Sequence, residues 1–122
     1  MDTVTEIAYA KMVKNLVKPG DAILANLTEL QAHLIHMTMG ISGEAGELLD
    51  GIKKYVIYNK TLDMNNIVEE LGDIEFYLQG LRESLGVTRE QTLIRNMTKL
   101  AKRYEGYAYT DQAAHARADK AE

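Results

Sequence analysis

Apolar side chains recur at steps of three and four along most of the chain, a period typical of helices rather than strands. A first helix is predicted from Thr3 to Val17, because Thr3 and Glu6 have the spacing of a capping box, and the run 18–21 ends it. Pro19 is the single proline, and alternating β-branched residues are scarce. The pattern therefore predicts an all-α fold.

The longest apolar stripe predicts a second helix from Thr28 to about Ile57. Its steps keep to one face for about eight turns. The stripe consists of Leu27, Leu30, Leu34, Met37, Ile41, Ala45, Leu48, Ile52 and Tyr55. A polar turn follows at 58–63, and Asp63 is placed to cap a third helix.

The third helix is predicted to end at Gly86, and Thr88 with Gln91 has the spacing that opens a fourth. The two stripes are Ile67, Leu71, Ile74, Leu78, Leu81 and Leu85, then Leu93, Met97, Leu100 and Tyr104. Short connections between amphipathic helices predict an antiparallel four-helix bundle. We expect one domain over 1–122, with its core at about 3–104 and a C-terminal arm or short helix at 105–122.

Two pairs of carboxylates occupy equivalent places on the second and third predicted helices. Glu44 and Glu47 are three residues apart, as are Glu70 and Asp73. Measured from the apolar stripe of its own helix, each pair falls at about −60° and −120°. Two antiparallel helices packed by their stripes would bring these matching flanks together, so we expect the four carboxylates to face one another.

Four converging carboxylates need a cation to stay ionised, because like charges raise each other's pKa. Oxygen ligands suit hard divalent ions, so the pattern predicts Mg²⁺, with Mn²⁺ as a substitute. A carboxylate di-iron site would need Glu-x-x-His pairs, but Glu47 and Asp73 stand where those histidines would be. A single acid on a helix usually belongs to a solvated face, whereas two equal spacings at equal angles favour a metal site.

Basic and amide side chains border the acidic flank. The fourth helix has three of them on its matching side: Asn96, Lys99 and Arg103. Lys54 lies about two turns after the first acidic pair. Such groups suit phosphate chemistry, because they hold the charge that develops on a leaving group. His36 lies about two turns before the same pair and is either a core histidine or a substrate contact.

Composition narrows the class of protein. With 122 residues and a net charge of −4, the chain is small and acidic, which argues against binding a polymeric nucleic acid. Its size leaves little apolar surface to spare, so we expect assembly into an oligomer. There is no cysteine, no basic-then-apolar start and no apolar run of about 20 residues. We therefore expect no membrane partner and a cytoplasmic location, the host cytoplasm if a phage encodes the protein.

The acidic pairs also resemble a known family. The segments E-A-G-E (44–47) and E-L-G-D (70–73) match the E-x-x-E … E-x-x-D signature of the all-α nucleotide pyrophosphohydrolases. The segments 36–60 and 69–78 are similar to MazG-like proteins, especially the small single-domain kind of bacteria and phages. N-M-T-K (96–99) followed by R-Y (103–104) matches their N-x-x-K-x-x-x-R-[YF] segment. The likeness runs from about residue 28 to 117.

The resemblance implies an enzyme that forms a dimer or tetramer and hydrolyses a (d)NTP to the (d)NMP and pyrophosphate. It implies four ligands for Mg²⁺: Glu44, Glu47, Glu70 and Asp73. It implies phosphate contacts, some of them across subunits, from Lys54, Asn96, Lys99 and Arg103. His36 is a further candidate for binding the substrate. The expected catalytic set is Glu47, Lys54, Asn96 and Lys99, with Glu47 as the base that orients water. Roles that belong to the second domain of the longer tandem relatives do not transfer to this chain.

Three functions remain open from the sequence. The first is a pyrophosphohydrolase that controls nucleotide pools, with a guanine nucleotide among its candidate substrates. The second is a dUTPase- or dCTPase-type specificity on the same scaffold, since helix spacing does not reveal the base. The third is a non-catalytic helical oligomer that binds a metal. It would not need basic groups beside the acids, so their presence favours an enzyme.

Overall fold

The computed structural model describes residues 3–120, and in this part of the chain the fold is all-α, as predicted. The α-helices are α1 (Val4–Leu16), α2 (Gly20–Ala25), α3 (Glu29–Val56), α4 (Met64–Leu85), α5 (Arg89–Arg103) and α6 (Asp111–Ala116). Two 3₁₀ helices, Glu105–Tyr107 and Ala118–Lys120, flank α6. None of the helices found between residues 3 and 120 is long and apolar enough to cross a membrane.

The predicted capping residues set the helix ends. The side chains of Thr3 and Thr88 each accept a hydrogen bond from the backbone N–H three residues on. The side chains of Glu6 and Gln91 in turn accept from the backbone N–H of Thr3 and Thr88. Capping boxes therefore open α1 and α5. Gly86 ends α4 in the left-handed region with φ 68°, a conformation that costs glycine little. Helix boundaries are therefore fixed by local hydrogen bonds that the sequence already indicates.

The pattern did not predict α2. The run 18–21 ends α1, as expected, but it also begins a new helix of six residues at Gly20. Pro19 holds φ at −60° just before that helix, which suits a helix start. The chain then divides into two compact units, one up to Ala32 and the other from His33 onward.

In the second unit, α3 and α4 run antiparallel, and side chains of each helix reach glycines of the other. Three contacts fix their register: Gly40 with Tyr77, Gly80 with Met37, and Gly51 with Asn66. This register places Glu47 level with Glu70, and Glu44 level with Asp73. Met37 is only 6% exposed and is the one buried hydrophobic side chain found in the described part of the chain. The two helices therefore contact each other through a few side chains, over a narrow strip.

The helices meet where the apolar stripes border the acidic flank. Met37, on the predicted stripe of α3, reaches Gly80, and Ile67, on the stripe of α4, reaches Gly51. Gly40 and Gly51 lie about 80–100° round α3 from Ile41, on the acidic side. Glycine leaves room at these positions for side chains of the facing helix. Leu71, Leu85 and Tyr55, all on the predicted stripes, stay about half exposed.

The segment 104–120, which we call the C-terminal hook, folds back on α5. Both 3₁₀ helices and α6 contact α5, so the predicted arm is ordered around that helix. Three residues in the left-handed region turn the chain: Gly106 (φ 63°) and Tyr107 (φ 56°) before α6, and Arg117 (φ 48°) after it. The hook brings Asp119 to the end of α5.

Candidate metal centre

Three carboxylates from two helices meet on the seam between α3 and α4. Glu44 and Glu47 lie one turn apart on α3, and Glu70 lies opposite them on α4. One oxygen from each carboxylate lies within 4.8 Å of the others. The facing of the two acidic flanks, expected from the helix angles, is thus present for these three residues.

Two of these carboxylates are partly or wholly removed from water without a hydrogen-bonding partner. Glu70 is 7% exposed. One oxygen of Glu70 and one of Glu44, the Oε2 of each, are buried with no donor to satisfy them. Buried acceptors without donors are rare in stable proteins, so a proton or a cation is needed between them.

The pKa of Glu70 is raised from 4.5 to about 7. The largest cause is Glu44, whose carboxylate is placed to accept a hydrogen bond from Glu70 once Glu70 is protonated. Burial and the negative charge of Glu47 raise it further. Glu70 therefore binds a proton up to about neutral pH, and a divalent cation could take the place of that proton.

The donor set fits Mg²⁺ or Mn²⁺. All three groups are carboxylates, and the cluster contains neither histidine nor thiolate, so it offers only hard oxygen ligands. Glu47 is exposed while Glu70 is buried, so an ion held here would have protein on one side and solvent on the other. An open side of this kind is what a substrate phosphate requires.

Asp73 is not among the three clustered carboxylates. It lies one turn beyond Glu70 on α4, level with Glu44, and its side chain is exposed. A rotation of that side chain toward the seam would add a fourth oxygen ligand. Its role as a ligand stays a prediction.

Lys54 and His36 lie on α3 on either side of the acidic pair. Lys54 forms an ion pair with Asp50, with Nζ 3.1 Å from Oδ2, and both side chains are largely exposed. His36 packs edge-to-face against Tyr77, with ring centroids 6.3 Å apart. A contact of either residue with substrate stays a prediction, and Asp50 is an acidic neighbour that the sequence reasoning passed over.

Asn96 and Lys99 lie on α5. Among the described residues, neither forms a hydrogen bond or an ion pair with the three carboxylates. They line an open groove of about 830 Å³ together with Arg95 and the turn residues Gly86 and Val87. The apolar residues of α5, Leu93 and Met97 among them, are exposed. The basic flank expected beside the acids is thus available on α5 but is not seen in contact with the three carboxylates.

Arg103 is engaged elsewhere. Its Nε donates to Asp119 Oδ1 at 2.6 Å and one Nη donates to Oδ2 at 3.2 Å. Asp119 is 3% exposed and Arg103 17%. The hydrogen bonds and the charge of Arg103 hold the pKa of Asp119 below its ordinary value. No periodic signal indicated this partner, because the two residues are sixteen positions apart and belong to different elements.

Comparison with known proteins agrees with this geometry. A family model described as the MazG nucleotide pyrophosphohydrolase domain matches residues 32–107. The Gene 37 protein of Mycobacterium phage L5 is 36% identical over 76 residues, which cover 57% of this chain and 65% of that protein. The chain thus spans slightly less than two thirds of that relative's length. No solved structure matches. The family match is narrower than the expected likeness over 28–117, and it leaves out α1, α2 and most of the C-terminal hook.

Proposed function

The chain belongs to the MazG nucleotide pyrophosphohydrolase family, and on that premise we propose that it hydrolyses a nucleoside triphosphate to the monophosphate and pyrophosphate with Mg²⁺. The observation that supports this most is the cluster of Glu44, Glu47 and Glu70, with two buried oxygens that lack donors. A cluster serving only as surface charge would not include a glutamate that is 7% exposed.

In this proposal Glu44, Glu47 and Glu70 hold the ion, with Asp73 as a fourth ligand. When bound, the ion would polarise phosphate oxygens and make water a better nucleophile. Glu47 is the most exposed of the three, so it is placed to orient the water and accept its proton. Water adds across the bond between the α and β phosphates, and pyrophosphate leaves.

Cationic and amide side chains would neutralise the phosphates. Lys54 is already on α3, about 10 Å along the helix from Glu47. Asn96 and Lys99 on α5 would act on the phosphates once that helix meets an acidic seam, and Arg103 would bind with the part of its guanidinium that Asp119 leaves free. His36, beside Tyr77, would contact the nucleotide.

We infer that the enzyme is a homo-oligomer, a dimer or a pair of dimers. The chain exposes 10277 Å², whereas a compact protein of 13.7 kDa would expose about 6,600 Å². The difference is of the size that obligate interfaces bury. Covering the apolar stripes with a second copy would complete the expected four-helix bundle.

Charge complementarity supports α5 as part of that interface. The sequence of α5 contains five cationic residues and one carboxylate, while α4 contains five carboxylates and one cationic residue. A copy of α5 that packs against the acidic helices of its partner would bring Asn96 and Lys99 to the carboxylates. The site would then be shared between subunits.

The experiment is a substrate panel. Purified protein with Mg²⁺, and separately with Mn²⁺, is incubated with each of the eight common NTPs and dNTPs and with dUTP, and pyrophosphate is measured apart from free phosphate. We expect pyrophosphate and a monophosphate from one or a few of them, which also identifies a purine preference or a dUTPase- or dCTPase-type specificity. Free phosphate without pyrophosphate would contradict the proposed bond cleavage. No product at all would favour the metal-binding oligomer.

The biological role that follows is the control of nucleotide pools in the cytoplasm. A (d)NTP pyrophosphohydrolase removes a triphosphate irreversibly once its pyrophosphate is consumed. The panel would show which triphosphate is removed.

A further inference from the structure

The ion pair between Arg103 and Asp119 joins a residue of the family-matched segment to one outside it. Arg103 is the last residue of α5 and lies within the match at 32–107, whereas Asp119 lies in the second 3₁₀ helix of the C-terminal hook. The two hydrogen bonds, at 2.6 and 3.2 Å, form a fork between one edge of the guanidinium and both carboxylate oxygens. Such paired contacts fix the plane of the guanidinium as well as its position.

The pair is built into the fold and is not a chance surface contact. Asp119 is 3% exposed, and its other charged neighbour, Lys120, is 4.0 Å away. The hook must pass through left-handed turns at Gly106, Tyr107 and Arg117 to bring Asp119 back to α5. A buried carboxylate left without its cation would be strongly unfavourable, so Asp119 is not expected to release Arg103 when a ligand arrives.

Arg103 nevertheless keeps donors for a second anion. A guanidinium has five N–H groups in one plane, and two of them face Asp119. The remaining N–H groups, those of the other Nη above all, point away from this edge. The side chain of Arg103 is 17% exposed and lines an open pocket together with Lys102 and Thr110, so a phosphate oxygen can reach it while the first edge stays held.

We propose that Asp119 is a positioning residue, which holds one edge of Arg103 so that the other edge is fixed for a phosphate of the substrate. This inference rests on the proposed function, because it takes Arg103 as a phosphate contact. It assigns a purpose to the C-terminal hook, most of which the family match does not cover. Holding the long side chain in one rotamer in advance removes the entropy that phosphate binding would otherwise lose.

The test compares variants of the full chain with the triphosphate that wild type hydrolyses. We expect Asp119→Ala to raise KM about tenfold, the loss that follows when one charge-assisted contact is weakened. Arg103→Lys should raise KM by a similar factor, because lysine cannot form the fork. The double variant should be no worse than either single variant, since Asp119 acts only through Arg103. Asp119→Glu should restore part of the loss.

Asp111→Ala is the matched control. Asp111 is another carboxylate of the hook, but it accepts a hydrogen bond from Tyr109 and has no contact with Arg103. We expect its KM to match wild type. Thermal unfolding and circular dichroism of each variant separate a local effect from loss of fold. If Asp119→Ala does not fold, Asp119→Asn replaces it, because asparagine keeps the shape of the side chain and one acceptor oxygen.

The results separate this inference from the proposed function. If wild type releases pyrophosphate but Asp119→Ala and Asp119→Asn keep its KM, the positioning role is wrong and the enzyme assignment stands. A lower KM in Asp119→Ala would also overturn it, because the carboxylate would then compete with phosphate for Arg103. Additive losses in the double variant would show that Asp119 acts independently. If wild type releases no pyrophosphate from any triphosphate, both proposals fail.

Discussion

Glu70 is the residue of the candidate metal centre whose surroundings are least favourable for a charged carboxylate. It lies buried on the α3–α4 seam, faces Glu44 and Glu47, and has an oxygen with no donor. A glutamine of the same shape would pack there without repulsion. The presence of a third acid at this position favours a role that needs negative charge, and cation binding is that role.

The stability of the metal-free protein should depend on pH through Glu70. The folded state holds a proton on this group up to a pKa of about 7, whereas the ordinary value is 4.5. Between these values the folded state binds more protons than the unfolded state, so the free energy of unfolding falls as pH rises from about 4.5 to 7. Thermal unfolding in EDTA at pH 5, 6, 7 and 8 would show a falling midpoint.

Two comparisons check that assignment. Glu70→Gln should flatten the pH dependence in EDTA, because the variant cannot titrate at this position. Mg²⁺ or Mn²⁺ should raise the midpoint of wild type most at pH 8, where the proton has left. A midpoint that rises with pH in EDTA, or one that falls equally in wild type and Glu70→Gln, would contradict the role given to Glu70.

At the residue scale the sequence predicted the acids but not their neighbours. Equal spacings at equal helix angles indicated that Glu44, Glu47 and Glu70 would face one another, because helix geometry is regular over short distances. The contact of Arg103 with Asp119 was not predictable, since it depends on three irregular turns in the hook. The side-chain rotamer of Asp73 is likewise beyond a helical pattern.

At the scale of the elements, glycines determine how α3 and α4 meet. A Cβ added to Gly40 would overlap the ring of Tyr77, while a Cβ added to Gly43 would meet nothing within 4 Å. The two glycines lie on the same helix less than one turn apart. They therefore form a matched pair in which the same substitution should have opposite effects.

We expect Gly40→Ala to lower the free energy of unfolding and Gly43→Ala to raise it. The gain at Gly43 should be about 0.5–1 kcal/mol, from better helix propensity alone. At Gly40 the same gain is outweighed by overpacking against Tyr77, which costs about 1–3 kcal/mol. Urea unfolding of both variants measures the difference. Equal changes of the same sign would mean that Gly40 and Tyr77 do not form the contact between α3 and α4.

Helix ends and helix packing differed in how far they followed from the sequence. The ends were predictable, because a cap such as Asp63, which accepts from the backbone N–H of Asn66 at 3.1 Å, is a local interaction. The packing was only partly predictable: the stripes supply Met37 and Ile67 to the contact, but nothing in the apolar pattern indicates which glycines receive them. The short α2 was missed since a proline-glycine run reads equally as a turn or as a helix start.

For the whole molecule, exposed apolar surface is the dominant feature. Between residues 3 and 120, Met37 is the one hydrophobic residue that is buried. A core this small cannot offset the conformational entropy that the chain loses on folding. The chain's small size already indicated this shortage. What the sequence did not reveal is that the open surface would include parts of the stripes of both long helices.

The assembled protein should therefore be at least a dimer in solution. Light scattering coupled to size-exclusion chromatography should give a mass of two or four times 13.7 kDa. Unfolding midpoints should rise with protein concentration, because association stabilises only the folded chain. A folded species of 13.7 kDa with a midpoint independent of concentration would contradict the oligomer.

The most direct test of the central claim is pyrophosphate release by wild type, Glu70→Gln and Glu75→Gln at saturating Mg²⁺. Glu75 lies on the same helix but pairs with Arg82 outside the cluster, so it controls for the loss of one negative charge. We predict that wild type and Glu75→Gln release pyrophosphate at similar rates, while Glu70→Gln, still folded, is slower by roughly 100-fold or more. Undiminished pyrophosphate release by Glu70→Gln would contradict the claim that this carboxylate cluster is the catalytic metal site.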